Sequence, residues 1–235
     1  METLVKERFG TFSSSNIWKL LTNNRKGDGF GAPALKYIKQ VGYEIKLGRA
    51  INVDRDSRPT SWGKFVERYA FEKLDTSYLL VSDERIFHST INYWSGAADL
   101  LKSDSVCDVK CPFNLEVFCD KINALNASID LYKEEFPEDY WQHVSNAILN
   151  NKDYAEAIIY CPYQSELQEI RDMVSNYDGD QNKVAWINWS EDSDLPYIPD
   201  GGFYKNLHII RFEVPETEKQ LLTEKVLAAS ALLKK

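Results

Sequence analysis

Apolar positions along the chain fall into segments of two periods. Between Trp62 and Leu74 they recur at Trp62, Phe65, Val66, Tyr69, Ala70 and Leu74, close to a helical repeat, and Thr60-Ser61 open that helix. Ser13-Ser14-Ser15 before Asn16–Leu21 read as a serine-capped helix start. A further helix is predicted over Pro33–Gln40, with loops at Asn23–Gly31 and Arg55–Thr60 on either side. Arg85–Trp94 reads as one strand. Ala97–Leu101 and Val106–Cys111 read as a hairpin about Lys102-Ser103-Asp104-Ser105, and Pro112 ends its second strand. Helices are predicted over Leu115–Phe136, with a break, and over Glu138–Asn150. A strand at Ala155–Cys161, a helix at Glu166–Ser175 and a short alternating strand at Val184–Trp189 come next. The loop Ser190–Lys205, a strand at Leu207–Val214 and a closing helix at Glu216–Leu233 complete the chain.

Helices first, then clustered strands, then alternation predict an α/β (α+β) fold, a mixed central sheet flanked by helices. The 235 residues suit one domain, residues 1–235, and 43% hydrophobic content suffices for its core. No run approaches a membrane span, and the start of the chain has no apolar secretory core. Four cysteines, Cys107, Cys111, Cys119 and Cys161, form no small-scaffold disulfide pattern, so a reduced, intracellular setting without membrane association is expected. They are read as small buried hydrophobes in preference to an iron–sulfur or zinc site.

Net charge is −8, which argues against a general nucleic-acid binder. Its distribution qualifies that. Residues 1–75 carry 14 Lys and Arg against 9 Asp and Glu, and the remainder 14 against 27. A basic N-terminal third is compatible with phosphate contacts, and equally with uneven scatter.

The candidate chemistry lies in Ser95–Pro112, SGAADLLKSDSVCDVKCP. Asp99 precedes the turn, and Asp108 and Lys110 follow it nine and eleven positions later. Strand alternation puts Val106, Asp108 and Lys110 on one face and Cys107, Val109 and Cys111 on the other. Asp99, on the partner strand, reaches the Asp108–Lys110 face. Two carboxylates to hold a metal and an ammonium beside the attacked phosphate are the requirements of a magnesium-dependent phosphodiesterase. A solvated strand with a surface ion pair has the same spacing. Glu67, at the edge of the apolar stripe of its helix, is a further candidate ligand, directly or through water, or a solvated glutamate. Gln142 could orient water or a phosphate oxygen with its amide, or simply face solvent. His88, His143 and His208 are read as structural.

The acid–acid–lysine pattern is similar to that of the PD-(D/E)XK nuclease superfamily. The chain further resembles the phage lambda exonuclease type, the YqaJ-like viral recombination exonucleases. Arg8-Phe9-Gly10-Thr11-Phe12-Ser13-Ser14-Ser15 is similar to that family's opening motif, Trp62-Gly63-Lys64-x-x-Glu67 to its W-G-x-x-x-E helix, Asp108-Val109-Lys110-Cys111-Pro112-Phe113 to its [ED]-x-K-C-P-F run, and Tyr140-Trp141-Gln142 to its glutamine helix. The resemblance implies that Asp99, Asp108 and the Val109 carbonyl ligate Mg²⁺, with Mn²⁺ as a substitute. Lys110 would steady or activate the attacking water, Glu67 and Gln142 would complete the site, and Arg8 and Ser15 would receive a 5′-phosphate. It implies 5′-to-3′ degradation of duplex DNA ends, a trimeric ring and an annealing recombinase as partner. Departures are Asp108 for the usual glutamate, Ala98 for the proline before Asp99, and Val144 for a second glutamine. Residues 164–205 look like an insertion of no assigned role.

Overall fold

The computed structural model describes residues 9–24, 27, 29–51, 57–81 and 84–233. In chain order the elements are β1 (Phe12–Ser13), a 3₁₀ helix (Ser14–Leu21), α1 (Ala32–Leu47), α2 (Arg58–Glu72), β2 (Leu79–Leu80), β3 (Ile86–Phe87), β4 (Trp94–Gly96), β5 (Leu100–Leu101) and β6 (Ser105–Lys110). There follow α3 (Leu115–Ala127), α4 (Ile129–Glu135), α5 (Pro137–Leu149), β7 (Tyr154–Tyr160), α6 (Leu167–Ser175), α7 (Gln181–Val184), α8 (Trp186–Trp189), β8 (Leu207–Glu213) and α9 (Glu216–Leu233).

A five-stranded mixed sheet runs β2-β5-β6-β7-β8, and only its β6–β7 pair is parallel. A parallel neighbour needs a crossover, which α3, α4 and α5 supply. The predicted fold class is the observed one. Both sheet faces are covered. Val106, Ala155, Ala157 and Ile159 belong to the core on the side of α3 and α5, which α1 and α9 extend outward. Cys107, Val109, Ile158 and Tyr160 pack against α2, α6, α7 and α8 on the other. This explains why β7 reads as a nearly continuous apolar run and not as an alternation. A small second sheet, β1-β4-β3, holds the N-terminal segment beside β4.

Local chemistry sets most boundaries. Ser57 accepts a hydrogen bond from the Thr60 amide at 3.3 Å, with Pro59 in the first turn, so α2 begins four residues before the apolar stripe. The predicted break after Leu115 is Ser128, which ends α3 and caps α4 by accepting from the Leu131 amide at 3.1 Å. Ser13 precedes its 3₁₀ helix without a side-chain cap bond, and α1 runs seven residues beyond the predicted Gln40, to Leu47.

Two predicted strands are corrected. Arg85–Trp94 is the two arms of a hairpin, β3 pairing with β4, because His88 Nδ1 accepts from the Thr90 and Ile91 amides at 3.2 Å each and turns the chain. Val184–Trp189 is helical. Asp180 accepts from the Asn182 amide at 3.1 Å, and the buried residues, Val184 and Ile187, lie three positions apart. Val184 with Trp186, and Ile187 with Trp189, are each spaced by two and imitate a strand in the sequence; the Asp180 side-chain cap and the packing on α2 select the helix.

Candidate active site

Asp99, Asp108, Lys110, Gln142, Glu67 and Ser15 come together where α2, α5 and the N-terminal segment meet the end of the β5–β6 hairpin. Leu100 pairs with Cys107, so Asp99 stands across from Asp108. The Val109 amide donates to Asp99 Oδ2 at 2.7 Å, which fixes the first carboxylate against the strand that carries the second. Asp108 is buried, and it is held from two sides: Gln142 Nε2 donates to its Oδ1 at 2.6 Å, and Lys110 Nζ forms an ion pair with its Oδ2. The same ammonium donates to Gln142 Oε1 at 3.3 Å. Gln142 therefore uses both ends of its amide, one on the acid and one on the base, as its donor and acceptor chemistry allows. Burial of Asp108 excludes the reading of β6 as a solvated strand with a surface ion pair.

The electrostatics are those of crowded negative charge. Burial, then Asp108 and Glu67, raise the pKa of Asp99 well above the ordinary carboxylate range. Burial and Asp108 push Glu67 up to about 7. Burial pulls Lys110 down, but the carboxylates of Asp108, Asp139 and Asp99 more than reverse this and hold it above the ordinary lysine value. Lys110 thus stands as an ammonium, a hydrogen-bond donor and a fixed positive charge. Its second-layer counter-charge is Asp139, buried one turn before Gln142, paired with Lys121 and accepting from Tyr132 Oη at 3.2 Å.

A cleft of about 440 Å³ opens beside these groups, lined by Ser13, Ser14 and Ser15, Glu67, Asp99 and Gln142. Lys64, Arg68 and Arg85 line it too. Sequence reasoning had not singled out these three cations as site residues. A signal existed for two of them: Lys64 and Arg68 flank Glu67 one turn apart on the exposed side of α2. Arg85 had none, since it reads as the start of a strand; here its guanidinium donates to Ser95 Oγ at 3.0 Å. Arg8 lies outside the described residues. Gly10, two positions on, donates its amide to the buried Glu44 at 3.1 Å.

All the candidate metal donors are hard oxygens: two aspartates, the Val109 carbonyl and Glu67. Among the described residues no three His, Cys, Asp or Glu side chains form a ready cage. Magnesium does not need one, because it keeps several waters and takes one or two carboxylates. Asp99 and Glu67, raised by burial and by neighbouring negative charge, are groups that a divalent cation relieves, so the residues fit Mg²⁺ or Mn²⁺. Among the histidines, His143 has both ring nitrogens at backbone carbonyls, those of Asp139 and Glu156 at 2.8 and 3.3 Å, and His88 stacks on Trp94. His208 bonds the Lys205 carbonyl at 3.0 Å. Cys107, Cys111 and Cys161 are buried free thiols, and Cys119 is half-buried. No helix among the described residues is long and apolar enough to cross a membrane.

No protein-family model matches the sequence, and no curated protein matches it significantly. Solved structures do. An alkaline exonuclease, LHK-Exo, from Laribacter hongkongensis superposes with a TM-score of 0.64 at 14% identity, over 97% of this chain and 89% of its own. The same protein in complex with dAMP gives 0.63 at 15% identity, with the same coverage. A phage-related exonuclease from Haemophilus somnus 129PT gives 0.57 at 15%, covering 95% of this chain and 93% of its own. At such identities the likeness is one of fold, and it spans nearly the whole of both chains: this chain has the fold of the alkaline and phage-related exonucleases.

Proposed function

We propose that the protein is a Mg²⁺-dependent nuclease that degrades one strand of duplex DNA from its 5′ end, by phosphodiester hydrolysis, leaving 3′ overhangs. The observation that carries this reading is the interlock of Asp108, Lys110 and Gln142, with Asp99 held against the same strand, directly behind a cleft that Asp99, Glu67 and Gln142 line. The shared fold with exonucleases supports it.

Asp99, Asp108 and the Val109 carbonyl, joined by Glu67 directly or through water, would hold Mg²⁺, or Mn²⁺ in its place. When bound, such an ion supplies positive charge against the phosphate and a more acidic water. The chain's own residues do the rest. Gln142 holds the Asp108 carboxylate with its amide N–H and the Lys110 ammonium with its amide oxygen. Lys110 donates to the attacking water or the phosphate and offsets charge that develops on the phosphate oxygens. Burial and Asp108 push Glu67 up to about 7, and the charge of a bound cation would favour its ionised form. Ser15 and Arg85, on the same cleft as Asp99, would receive the 5′-phosphate, with Arg8 as a further contact. A trimeric ring would let a chain of net charge −8 hold DNA in an inner channel, and the 3′ overhang would be handed to an annealing recombinase.

The test uses linear duplex labelled on one strand, with 5′-phosphate or 5′-hydroxyl ends, with and without Mg²⁺, beside Lys110→Ala. Progressive loss of the 5′-phosphorylated strand, dependent on metal and on Lys110, is expected. Internal cuts or 3′ polarity would replace the exonuclease reading by that of a different nuclease. Binding without any cutting would make the protein a DNA-end binder.

A further inference from the structure

Residues 164–205 have no part in the chemistry above, yet they build a second cleft beside it. This cleft, about 180 Å³, is lined by Ser61, Lys64, Phe65 and Arg68 of α2 and by Tyr177 and Lys183 from the segment carrying α6 and α7. Lys64 and Arg68 line both clefts, so the two lie side by side along the exposed side of α2. Their electrostatics differ. Glu67 and Asp99 line the first, whereas the described residues that line the second include three cations and no acid, in a chain whose acids outnumber its bases by 36 to 28. Cations gathered on concave walls raise the local potential for an anion.

The walls are also built, not incidental. Arg68 lies 4.9 Å over the Tyr177 ring, and Tyr177 stands edge-on to Phe65 at 5.4 Å. Trp186 donates its indole N–H to Ser61 Oγ at 3.0 Å, and Arg58 lies 5.3 Å over the Trp186 ring. Aromatic side chains of the segment thus hold α7, and with it Lys183, against the cationic side of α2. An Arg braced on an aromatic face keeps its outward N–H groups in a fixed plane, the geometry that suits a phosphate.

The geometry points to a phosphate subsite in this second cleft, in which Lys183, Lys64 and Arg68 hold a backbone phosphate of the DNA strand running out of the active cleft. This rests on the nuclease reading and adds to it a role for the segment 164–205: it lengthens the DNA track beyond the cut site. The cleft suits a single backbone linkage, not a stacked base pair, so the contact is blind to sequence.

The experiment measures affinity for a fluorescent duplex by anisotropy in a Lys110→Ala background across a KCl series. Each phosphate contact contributes about 0.7–0.9 to the slope of log K against log salt. Lys183→Gln should flatten the slope by about that amount and weaken binding several-fold at low salt, whereas Lys183→Arg should keep the original slope. Lys152→Gln, which removes the same charge beside the turn at 102–105 where Lys152 bonds the Ser103 carbonyl, should leave the slope unchanged. An unaltered slope for Lys183→Gln, or an equal loss for Lys152→Gln, overturns the subsite and leaves the nuclease reading standing. A protein that binds no DNA at any salt overturns both.

Discussion

At Gln142 one side chain joins acid and base, and this defines its expected phenotype. Gln142→Leu removes the 2.6 Å bond to Asp108 and the 3.3 Å bond from Lys110 while leaving the carboxylates in place. Loss of such an orienting partner typically costs 10–100-fold in activity or metal affinity. The variant should show that loss in the rate and in the Mg²⁺ concentration giving half-maximal cutting, together with a stability loss of about 1–3 kcal/mol from the orphaned Asp108 oxygen. Asp139 is a buried acid whose main effect is on stability. Burial raises its pKa, but Lys110 and Lys121 together hold it below its ordinary 3.8. A depressed folded pKa means that the stabilisation is complete above the unfolded value and is lost as pH falls through the lowered folded one. Wild-type stability should therefore drop steeply below about pH 4, and urea unfolding from pH 2 to 6 should show a flatter profile for Asp139→Asn. At neutral pH that substitution, which leaves Lys121 buried without its partner charge, should cost about 3–5 kcal/mol.

Among the elements, β4 shows how closely the small sheet and α5 must approach to shape the cleft. A Cβ at Gly96 would stand 2.6 Å from Asn146 Oδ1 and 2.7 Å from Leu149 Cδ1, and would collide with the Ser14 hydroxyl. Ser14 is itself tied to Ser145 at 2.8 Å, so the serine segment has no room to retreat. Gly96→Ala should destabilise by about 1–3 kcal/mol through overpacking, read as a lower urea midpoint at constant m value. Because Ser13, Ser14 and Ser15 line the cleft beside Gly96, the surviving folded protein should also prefer 5′-phosphorylated ends less than wild type does. A strong midpoint loss with end preference intact would mean that the serine segment does not read the end. The corrected elements belong to this scale as well. A histidine-centred turn inside Arg85–Trp94 and an aspartate cap before Val184 are short-range hydrogen bonds, and an apolar pattern does not record them.

For the molecule as a whole, charge and assembly are linked. With a net charge of −8 the exterior repels DNA, yet both clefts present cations inward. A ring of three chains, each of 27.1 kDa, would bring those cations to face a common channel. Sedimentation equilibrium should then give three chain masses, and dilution that dissociates the ring should abolish processive cutting while single cuts persist. A monomer that cuts processively would remove the ring from the proposal.

How much was readable in advance follows a physical division. The chain by itself determined the fold class, most helices and the β5–β6 hairpin, and it put Asp99, Asp108 and Lys110 forward as candidates. These depend on period, on capping residues and on spacing across one tight turn, all of which are local in the chain. Glu67 and Gln142 were legible as candidates only, because a lone Glu or Gln on a helix has the same local signature whether it faces solvent or a site. Tertiary structure alone decided that Gln142 bridges Asp108 and Lys110 across 34 and 32 positions. It also decided that Asp139 stands behind that lysine, that Arg85 enters the cleft and that Tyr177 and Lys183 meet α2. Contacts over such separations depend on how helices pack on both faces of one sheet, and burial and mutual repulsion then set the charge of each group; neither exists until the chain has closed.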